Sequence, residues 1–292
     1  MNTQLKGLLI TALGVLFVVP DSLFIRLIDA EPLVIAFWRA MTSGVFVLIF
    51  VMAFQGRKGF VAVYQTGRYG LLYILFLGLT APAFVLAVAN TSVANVVFIL
   101  ASIPVFALIF SRIFLGEAIK RRMVLTMAAV GVGLAIIAYG SGSSEIASWK
   151  GDLWAVYASA TFAAALTAAR RVKETSMVPA LPFSAIGAAL VIGLFVDPMA
   201  AFVQQYPLIL AHGAFIAVAT CLMTMGPRYI TSAEVSLLIL LESVLAPILV
   251  WAVIGENPGR LALLGGAVVI GALIVSNLVA LMRQKVRKST AG

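Results

Sequence analysis

Apolar runs of about 20 residues recur along nearly the whole chain, and each is long enough to cross a bilayer core as a helix. Hydrophobic residues make up 63% of the 292 residues, and charged residues only 11%. A water-soluble domain of this length could not keep so much apolar surface away from water. The sequence therefore predicts an integral membrane protein. The ten predicted spans cover about residues 5–27, 32–54, 69–90, 93–115, 122–140, 152–172, 178–196, 207–229, 232–254 and 260–282.

The positive charge of the chain is concentrated on one predicted side of the membrane. Sixteen of the 20 Lys and Arg residues fall on the side of the N-terminus, and four, Arg26, Arg39, Lys150 and Arg260, fall on the other. The positive-inside rule places the rich side, with both termini, in the cytoplasm. We expect a bacterial-type cytoplasmic (inner) membrane protein. This asymmetry accounts for the net charge of +9 without a nucleic-acid partner, and the basic tail is expected to meet anionic lipid headgroups.

The two halves of the chain resemble one another. When the sequence is shifted by 139 residues, the stretch 92–136 lies over 231–275 with 12 of 45 pairs identical, including Gly116-Glu117 over Gly255-Glu256. Five spans per half is an odd number, so the halves would have opposite orientations in the membrane. Inverted repeats are typical of secondary transporters, whose solute site lies near the midplane between the halves. We divide the chain into a first repeat (1–140), an external loop (141–151) and a second repeat with a basic tail (152–292).

Two stretches carry a family resemblance: "NTSVANVVFILASIPVFALIFSRIFLGE" in the first half and "RYITSAEVSLLILLESVLAPILVWAVIGE" in the second. These stretches, together with the ten predicted spans, resemble the EamA-type drug/metabolite transporters. Within that family the chain resembles most closely the YddG-type exporters of amino acids and related metabolites. The resemblance implies an all-α protein of two inverted five-helix repeats. It also implies a central cavity lined by the first, third, fourth, sixth, eighth and ninth spans. Where the second copy usually carries Glu-Pro, this chain has Glu242-Ser243, with proline at position 247.

Glu242 is the strongest candidate for a functional residue. It lies near the midpoint of the apolar run "LLILLESVLAPILV". An acid at that depth costs about 2.5–3.5 kcal/mol on insertion scales, so it is expected to face the protein interior. One interpretation is that it binds the solute or a coupling proton. The alternative is a structural carboxyl that is hydrogen-bonded to the backbone near Ser243.

Other polar and aromatic residues are weaker candidates for the cavity wall. Asp21 could bind a solute ammonium group or, as we prefer, pair with Arg26. Arg26 and Arg39 are expected near the outer face. The fourth span carries a stripe that could line the cavity or join helices by hydrogen bonds. Trp154 is expected in the outer aromatic belt. The stripe consists of Asn95, Phe98 and Ser102, and the further candidates are Thr161, Thr220, Thr224 and Tyr157, the last with the aromatic belt as its alternative.

Prolines are expected to bend five of the spans. Each proline removes an N–H and leaves the carbonyl four residues earlier without its helical partner. Such backbone is tolerated inside a membrane only where protein or water satisfies it. Five bends together favour a cavity or moving elements over simple packing. The prolines are Pro20, Pro82, Pro104, Pro227 and Pro247.

The chain lacks the motifs of the competing functional classes. His212 is the only histidine and Cys221 the only cysteine, so neither a His-rich metal site nor a disulfide is expected. No phosphate-binding Gly-Lys-Thr/Ser motif is present, and no cofactor is expected. We therefore predict a carrier of small solutes, not an enzyme, with proton coupling left open. The alternatives are a sugar-phosphate or nucleotide-sugar carrier and an intramembrane lipid-modifying enzyme. The small residues of the fifth and tenth spans suit a scaffold or a homodimer face.

Overall fold

A computed structural model describes residues 3–116, 121–141, 147–225, 229 and 232–289. These residues form α-helices and one short 3-10 helix, Val178–Ala180, and they contain no β-strand. The α-helices are α1 (Thr3–Val18), α2 (Asp21–Leu27), α3 (Pro32–Phe54), α4 (Gly56–Gln65), α5 (Arg68–Asn90), α6 (Val93–Leu100), α7 (Ile103–Leu115), α8 (Arg121–Ser141), α9 (Trp149–Arg171), α10 (Leu181–Ile192), α11 (Met199–Met225), α12 (Ser232–Ile254) and α13 (Arg260–Ser289).

Within the described part of the chain, six helical segments are long and apolar enough to cross a membrane. Three shorter apolar helices lie in the second half, and the predicted number of ten spans stays a prediction. The helix α9, which covers the predicted sixth span, is not among the six. It carries Asp152 in its first turn and two arginines in its last, and it packs along α5. The six segments are Leu5–Leu27, Pro32–Phe54, Arg68–Asn90, Val93–Leu115, Met123–Ser141 and Met199–Met225.

Two of the prolines coincide with breaks between helices. Pro20 separates α1 from α2, and Pro104 lies in the first turn of α7, just after the break that follows α6. At that second break, the Ile99 carbonyl accepts hydrogen bonds from the hydroxyls of Ser102 (2.5 Å) and Ser159 (3.3 Å). Side chains thus satisfy backbone that a continuous helix would have satisfied, as a membrane interior requires.

The remaining prolines behave differently. Pro82 and Pro247 lie inside the continuous helices α5 and α12. Pro227 lies outside the described residues. Pro207, which the sequence analysis did not single out, follows a non-helical Gln205 within α11 (φ −133°, ψ 24°).

The connections also differ in two places from the prediction. The predicted connection 197–206 contains the first part of α11, which begins at Met199 and is kinked at Gln205, so the predicted start of the eighth span at residue 207 falls just after this kink. The connection 55–68, between the second and third predicted spans, contains α4, which packs against α3 and the 3-10 helix. Val63 is buried there, and Phe60 packs into the same apolar cluster, which explains why the segment folds as a helix.

The helix packing repeats between the two halves. In the order of the predicted spans, α3 pairs with α10 (second with seventh) and α8 with α13 (fifth with tenth). The first span, α1, packs on the eighth, α11, and correspondingly the sixth, α9, packs on the third, α5. Each of these four cross-half pairings therefore corresponds to itself or to another of them when the halves are exchanged, which is the pattern of a two-repeat architecture.

Contacts at the helix ends give the relative direction of the two halves. Arg26, near the end of α2, bonds to the carbonyl of Thr91, just before α6 begins. Arg170, near the end of α9, bonds to Ser111, near the end of α7. The first and sixth predicted spans therefore end at opposite ends of the fourth span, which consists of α6 and α7. This is expected for halves of opposite orientation. The two ends are named the Arg26 end (Arg26, Thr91, Val93, Glu256) and the Arg170 end (Ser111, Phe114, Arg170, Arg171).

Glycines lie at corresponding positions of the two halves in two further places. Gly116 follows α7 and Gly255 follows α12, with φ values of 71° and 74°, a left-handed conformation that suits glycine at a helix C-terminus. In α8 and α13, close approach requires small residues. A Cβ on Gly133 would lie 2.6 Å from Cγ2 of Val269, and one on Gly265 would lie 2.6 Å from the Gly133 carbonyl oxygen. These small residues therefore serve the internal α8–α13 contact, which is the scaffold role considered from the sequence.

Candidate functional site

A cluster of charged and polar side chains lies where the two halves meet. Asp21 is the first residue of α2, where the helix dipole favours a carboxylate. Its Oδ1 accepts a hydrogen bond from Nε of Arg39 at 2.9 Å, and its Oδ2 accepts one from Nη2 at 2.5 Å. Nε2 of His212 lies 2.7 Å from Oδ1. Asp21 and Arg39 come from the first half and His212 from the second, and together they are named the Asp21 cluster.

The predicted pairing of Asp21 with Arg26 was wrong. Arg26 instead forms an ion pair with Glu256, with Nε and Oε2 separated by 3.0 Å. Residues five apart on a helix are separated by roughly 140° around its axis, so their side chains do not meet. Arg39 also does not reach the outer face as predicted, because its charge is held inside by the two oxygens of Asp21.

Aromatic rings enclose the Asp21 cluster. The ring of Phe24 stacks on His212 with centroids 5.1 Å apart and an interplanar angle of 14°. The Arg39 guanidinium lies over the ring of Phe84, 5.3 Å from its centroid. The side chains of Asp21, Arg39 and His212 are 2%, 13% and 1% exposed. A buried carboxylate in this position is stable because charged or polar donors occupy both of its oxygens.

Glu242 adjoins this cluster from α12. It is half-buried, and α12 packs against α2, the helix that begins with Asp21. Among the residues that the structure describes, Glu242 has neither a hydrogen-bond partner nor an ion-pair partner. The neighbouring Ser243 points to α6, where its hydroxyl donates to the Val97 carbonyl at 3.2 Å. Glu242 is therefore a carboxyl without a dedicated cation, next to a carboxylate that has one.

A second charged group closes the Arg26 end. Nη2 of Arg26 donates to the Thr91 carbonyl at 2.9 Å, while Oε1 of Glu256 accepts from the backbone N–H of Val93 at 2.7 Å. Glu256 therefore joins three elements: α2, the N-terminus of α6 and the segment between α12 and α13. A carboxylate is favourable there because the first N–H groups of α6 lack helical partners.

Asn95 belongs to a buried network close to the Arg26 end. Its amide donates to Oδ1 of Asp152 at 3.1 Å and to the Ser141 hydroxyl at 2.7 Å. Asp152 also accepts from the hydroxyls of Ser141 (2.5 Å) and Thr91 (2.8 Å). These bonds connect α6, α8 and α9, which is the helix-joining role that the sequence left open for the polar stripe.

The other predicted cavity residues are dispersed. Phe98 is buried against Gly266, where a Cβ would lie 2.5 Å from its ring, and Ser102 bonds to the backbone at the α6–α7 break. Thr161 accepts from Thr80 at 3.0 Å and donates to the Tyr157 carbonyl at 2.9 Å. Thr220 and Thr224 bond to the carbonyls of Ile216 and Thr220 within α11. Tyr157 is exposed and packs edge-on against Trp154 with centroids 5.9 Å apart.

The structure thus brings together only two of the predicted site residues around the Asp21 cluster, Asp21 and Glu242. It adds Arg39 and His212, which the sequence analysis did not nominate. Both lie within apolar runs, so the rule that singled out Glu242, that ionisable residues inside a span mark functional sites, applied to them as well.

An apolar cleft lies on the other side of α12. It has a volume of about 560 Å³ and lies between α12 and α13, with Phe98 and Ser243 at its wall. Several of its lining residues, Val244, Ile248, Trp251 and Leu263, are among the exposed large hydrophobic side chains. The cleft is thus lateral, separate from the face of α12 that carries Glu242.

An all-helical chain with apolar spans, two repeats and ionisable side chains buried between them is an integral membrane protein of the polytopic transporter class. The chain belongs to the EamA-like transporter family, whose model matches residues 5–139 and 149–278, once for each half. Members of this family are membrane transporters of small solutes, not enzymes.

Comparison with solved structures supports the fold. One crystal structure matches 96% of this chain and 99% of its own with a TM-score of 0.64, at 17% sequence identity. At that identity the likeness concerns the fold alone. No curated protein matches the sequence.

Proposed function

We propose that the protein is a secondary-active carrier that exports or exchanges amino acids or related small metabolites by alternating access. The observation that carries this proposal is the half-buried carboxyl of Glu242, without a partner among the described residues, beside a charge cluster contributed by both halves. A carrier must bind its solute where the halves meet and release it on either side. A single acid on an otherwise apolar helix face provides one such point of attachment.

The contacts at the Arg26 end support alternating access. The pair between Arg26 and Glu256 joins the first half to the second, and so does the Val93–Glu256 bond. A pathway to that end opens only when these bonds separate. On the positive-inside prediction the Arg26 end is external, both termini are cytoplasmic, and the membrane is a bacterial-type inner membrane.

The solute class follows from the charge of the site. Glu242 offers a negative group to a solute ammonium, and the Phe24 and Phe84 rings beside the cluster suit apolar side chains. This reading agrees with the resemblance to amino-acid exporters. A sugar-phosphate carrier would need a cation that is available to phosphate. The buried Arg39 already uses two of its nitrogens on Asp21, which disfavours that alternative.

Transport by purified protein tests the proposal. The protein in proteoliposomes should exchange one or more members of a panel of radiolabelled amino acids, with and without a pH gradient. Glu242→Gln should weaken or uncouple this transport, while Glu31→Gln, which changes an exposed carboxyl, should not. If Glu242→Ala lowers the melting temperature while Glu242→Gln remains fully active, the role of Glu242 is structural. Absence of transport for the whole panel by folded protein would contradict the proposed solute class.

A further inference from the structure

The lateral cleft between α12 and α13 has an apolar body and a polar end. Its walls follow one stripe on each helix, because the lining positions are spaced by three or four residues. The cleft reaches inward to Phe98 on α6, which is 5% exposed. At one end it is closed by Asn257 and Pro258, in the connection between the two helices. The stripe residues are Ser243, Pro247 and Trp251 on α12, and Leu263, Ala267 and Ile270 on α13.

The walls of the cleft belong to the surface that faces lipid. Trp251 is 57% exposed and Leu263 is 48% exposed, and both lie in apolar helical segments, Leu238–Ile254 and Arg260–Ser276. Ser243 and Trp251 are eight residues apart, a distance of about 12 Å along a helix. The hydrocarbon core of one leaflet is about 15 Å deep, half of the core of the bilayer. The cleft therefore has the depth of a single leaflet and opens toward acyl chains.

A positive charge lies at the polar end of the cleft. Arg260 is the first residue of α13, is exposed, and precedes Leu263 by three residues, so it begins the α13 stripe. Glu256, the nearest acid in sequence, is held by Arg26, and within the described residues Arg260 has no acidic partner. Asn257 accepts a backbone N–H through Oδ1 at 2.9 Å, which leaves its amide hydrogens as donors. A guanidinium and an amide are donors that suit the oxygens of a phosphate group.

We propose that this cleft binds an anionic phospholipid, of the phosphatidylglycerol type, from the leaflet at the Arg26 end. One acyl chain lies between α12 and α13 and extends toward Phe98, while Arg260 and Asn257 bind the phosphate. A single lipid molecule supplies both the apolar chain and the anion that the two parts of the site require, whereas an apolar helix of a second copy supplies only the first. The site is separate from the face of α12 that carries Glu242, so the inference goes beyond the proposed carrier function.

Tryptophan fluorescence of the full-length protein in phosphatidylcholine vesicles tests the position of the chain, because bromine atoms on an acyl chain quench a nearby tryptophan. The signal of Trp251 is obtained in each background as the difference from the same protein with Trp251→Phe. A small fraction of phosphatidylglycerol with brominated chains should quench this signal more than the same fraction of brominated phosphatidylcholine. Ala267→Phe fills the cleft and should reduce the quenching, whereas Val268→Phe, at the next and also exposed position outside the cleft lining, should not.

A change of charge tests recognition of the headgroup. Arg260→Gln should lower the preference for phosphatidylglycerol over phosphatidylcholine about five-fold, the factor that corresponds to about 1 kcal/mol for one basic residue at a membrane surface. Lys150→Gln is the matched control, since it removes an exposed cation on the same predicted side of the membrane but on α9. It should leave the preference unchanged.

Four results would overturn the proposal. Equal quenching by the two brominated lipids in the native protein would mean that the cleft does not select an anionic lipid. An unchanged preference in Arg260→Gln would remove the headgroup site, and unchanged quenching in folded Ala267→Phe would remove the chain from the cleft. Absence of quenching by either lipid would show that another occupant, such as a second copy of the chain, covers this face. Arg260→Gln changes only an exposed side chain, so its result does not depend on whether Ala267→Phe folds.

Discussion

The ion pair at the Arg26 end should control how often the site opens to that side. Glu256 holds Arg26 through Oε2 at 3.0 Å and caps the N-terminus of α6 through Oε1 at 2.7 Å. Glu256→Gln keeps the size of the side chain and one acceptor oxygen, but it removes the charge. Because these contacts join the two halves, they stabilise only states in which the Arg26 end is closed.

The structure bounds the size of the effect. The side chain of Arg26 is 21% exposed and that of Glu256 is 8% exposed, so the pair is neither a surface pair nor fully buried. Exposed pairs contribute about 0.2–1 kcal/mol, whereas breaking a buried pair costs about 3–5 kcal/mol. An intermediate loss of about 2 kcal/mol would shift the ratio of open to closed states roughly 30-fold toward open.

A buried cysteine between the Arg26 end and Glu242 can report that shift. Ala246 is buried and lies one helical turn from Glu242 toward Glu256. In a Cys221→Ser background, Ala246→Cys should react slowly with an impermeant thiol reagent, and roughly 30-fold faster when Glu256→Gln is added. Glu31→Gln is the matched control, since it removes an exposed acid between α2 and α3, and should leave the rate unchanged. Equal rates with and without Glu256→Gln, in folded protein, would refute the gating role of this pair.

Three other predictions address topology, helix breaks and packing. Single cysteines at Ser144 and Ser289 in a Cys221→Ser background should be labelled from opposite sides of the membrane; labelling of both from outside intact cells would contradict the inverted topology. Pro104→Ala and Pro247→Ala should slow solute turnover more than they lower thermal stability; unchanged turnover in both would make them packing residues. Gly133→Ala should cost about 1–3 kcal/mol, measured as a lower melting temperature, because its Cβ would lie 2.6 Å from Val269. Gly131→Ala, with open space at its Cβ, should have little effect, and equal melting temperatures for the two variants would argue against the α8–α13 contact.

The sequence predicts the helical spans well because hydropathy depends on each residue alone. The run 32–54, for example, coincides with α3. Breaks within spans depend on local chemistry, and Pro20 and Pro104 coincide with two of them. Pro82, by contrast, does not interrupt α5. Whether a helix bends or breaks at a proline depends on what its neighbours supply to the freed carbonyl. That information comes from packing between helices, which a single run of sequence does not contain.

The partners of buried charges were less predictable. The nearest opposite charge to Asp21 in sequence is Arg26, but its actual partners are Arg39 and His212, which are 18 and 191 residues away. Hydropathy gives the approximate depth of an ionisable group in its span, but not the face of the helix or the neighbour it meets. Asn95 shows the same limit, since its partners Ser141 and Asp152 come from two other helices.

The internal repeat does contain information about such partners. A shift of 144 residues places Lys6-Gly7 over Lys150-Gly151 and Arg26 over Arg170, so the first and sixth spans each carry an arginine at the same position near their end. Both arginines bond to the fourth span (α6 and α7), Arg26 near its beginning and Arg170 near its end, as halves of opposite orientation require. The two arginines therefore form corresponding hydrogen bonds at opposite ends of the fourth span. A carrier of this design can use corresponding residues of its two halves to close its two ends, which explains why charges at span ends are repeated. The central acid, Glu242, has no counterpart carboxyl, because the 139-residue shift places it over Ile103.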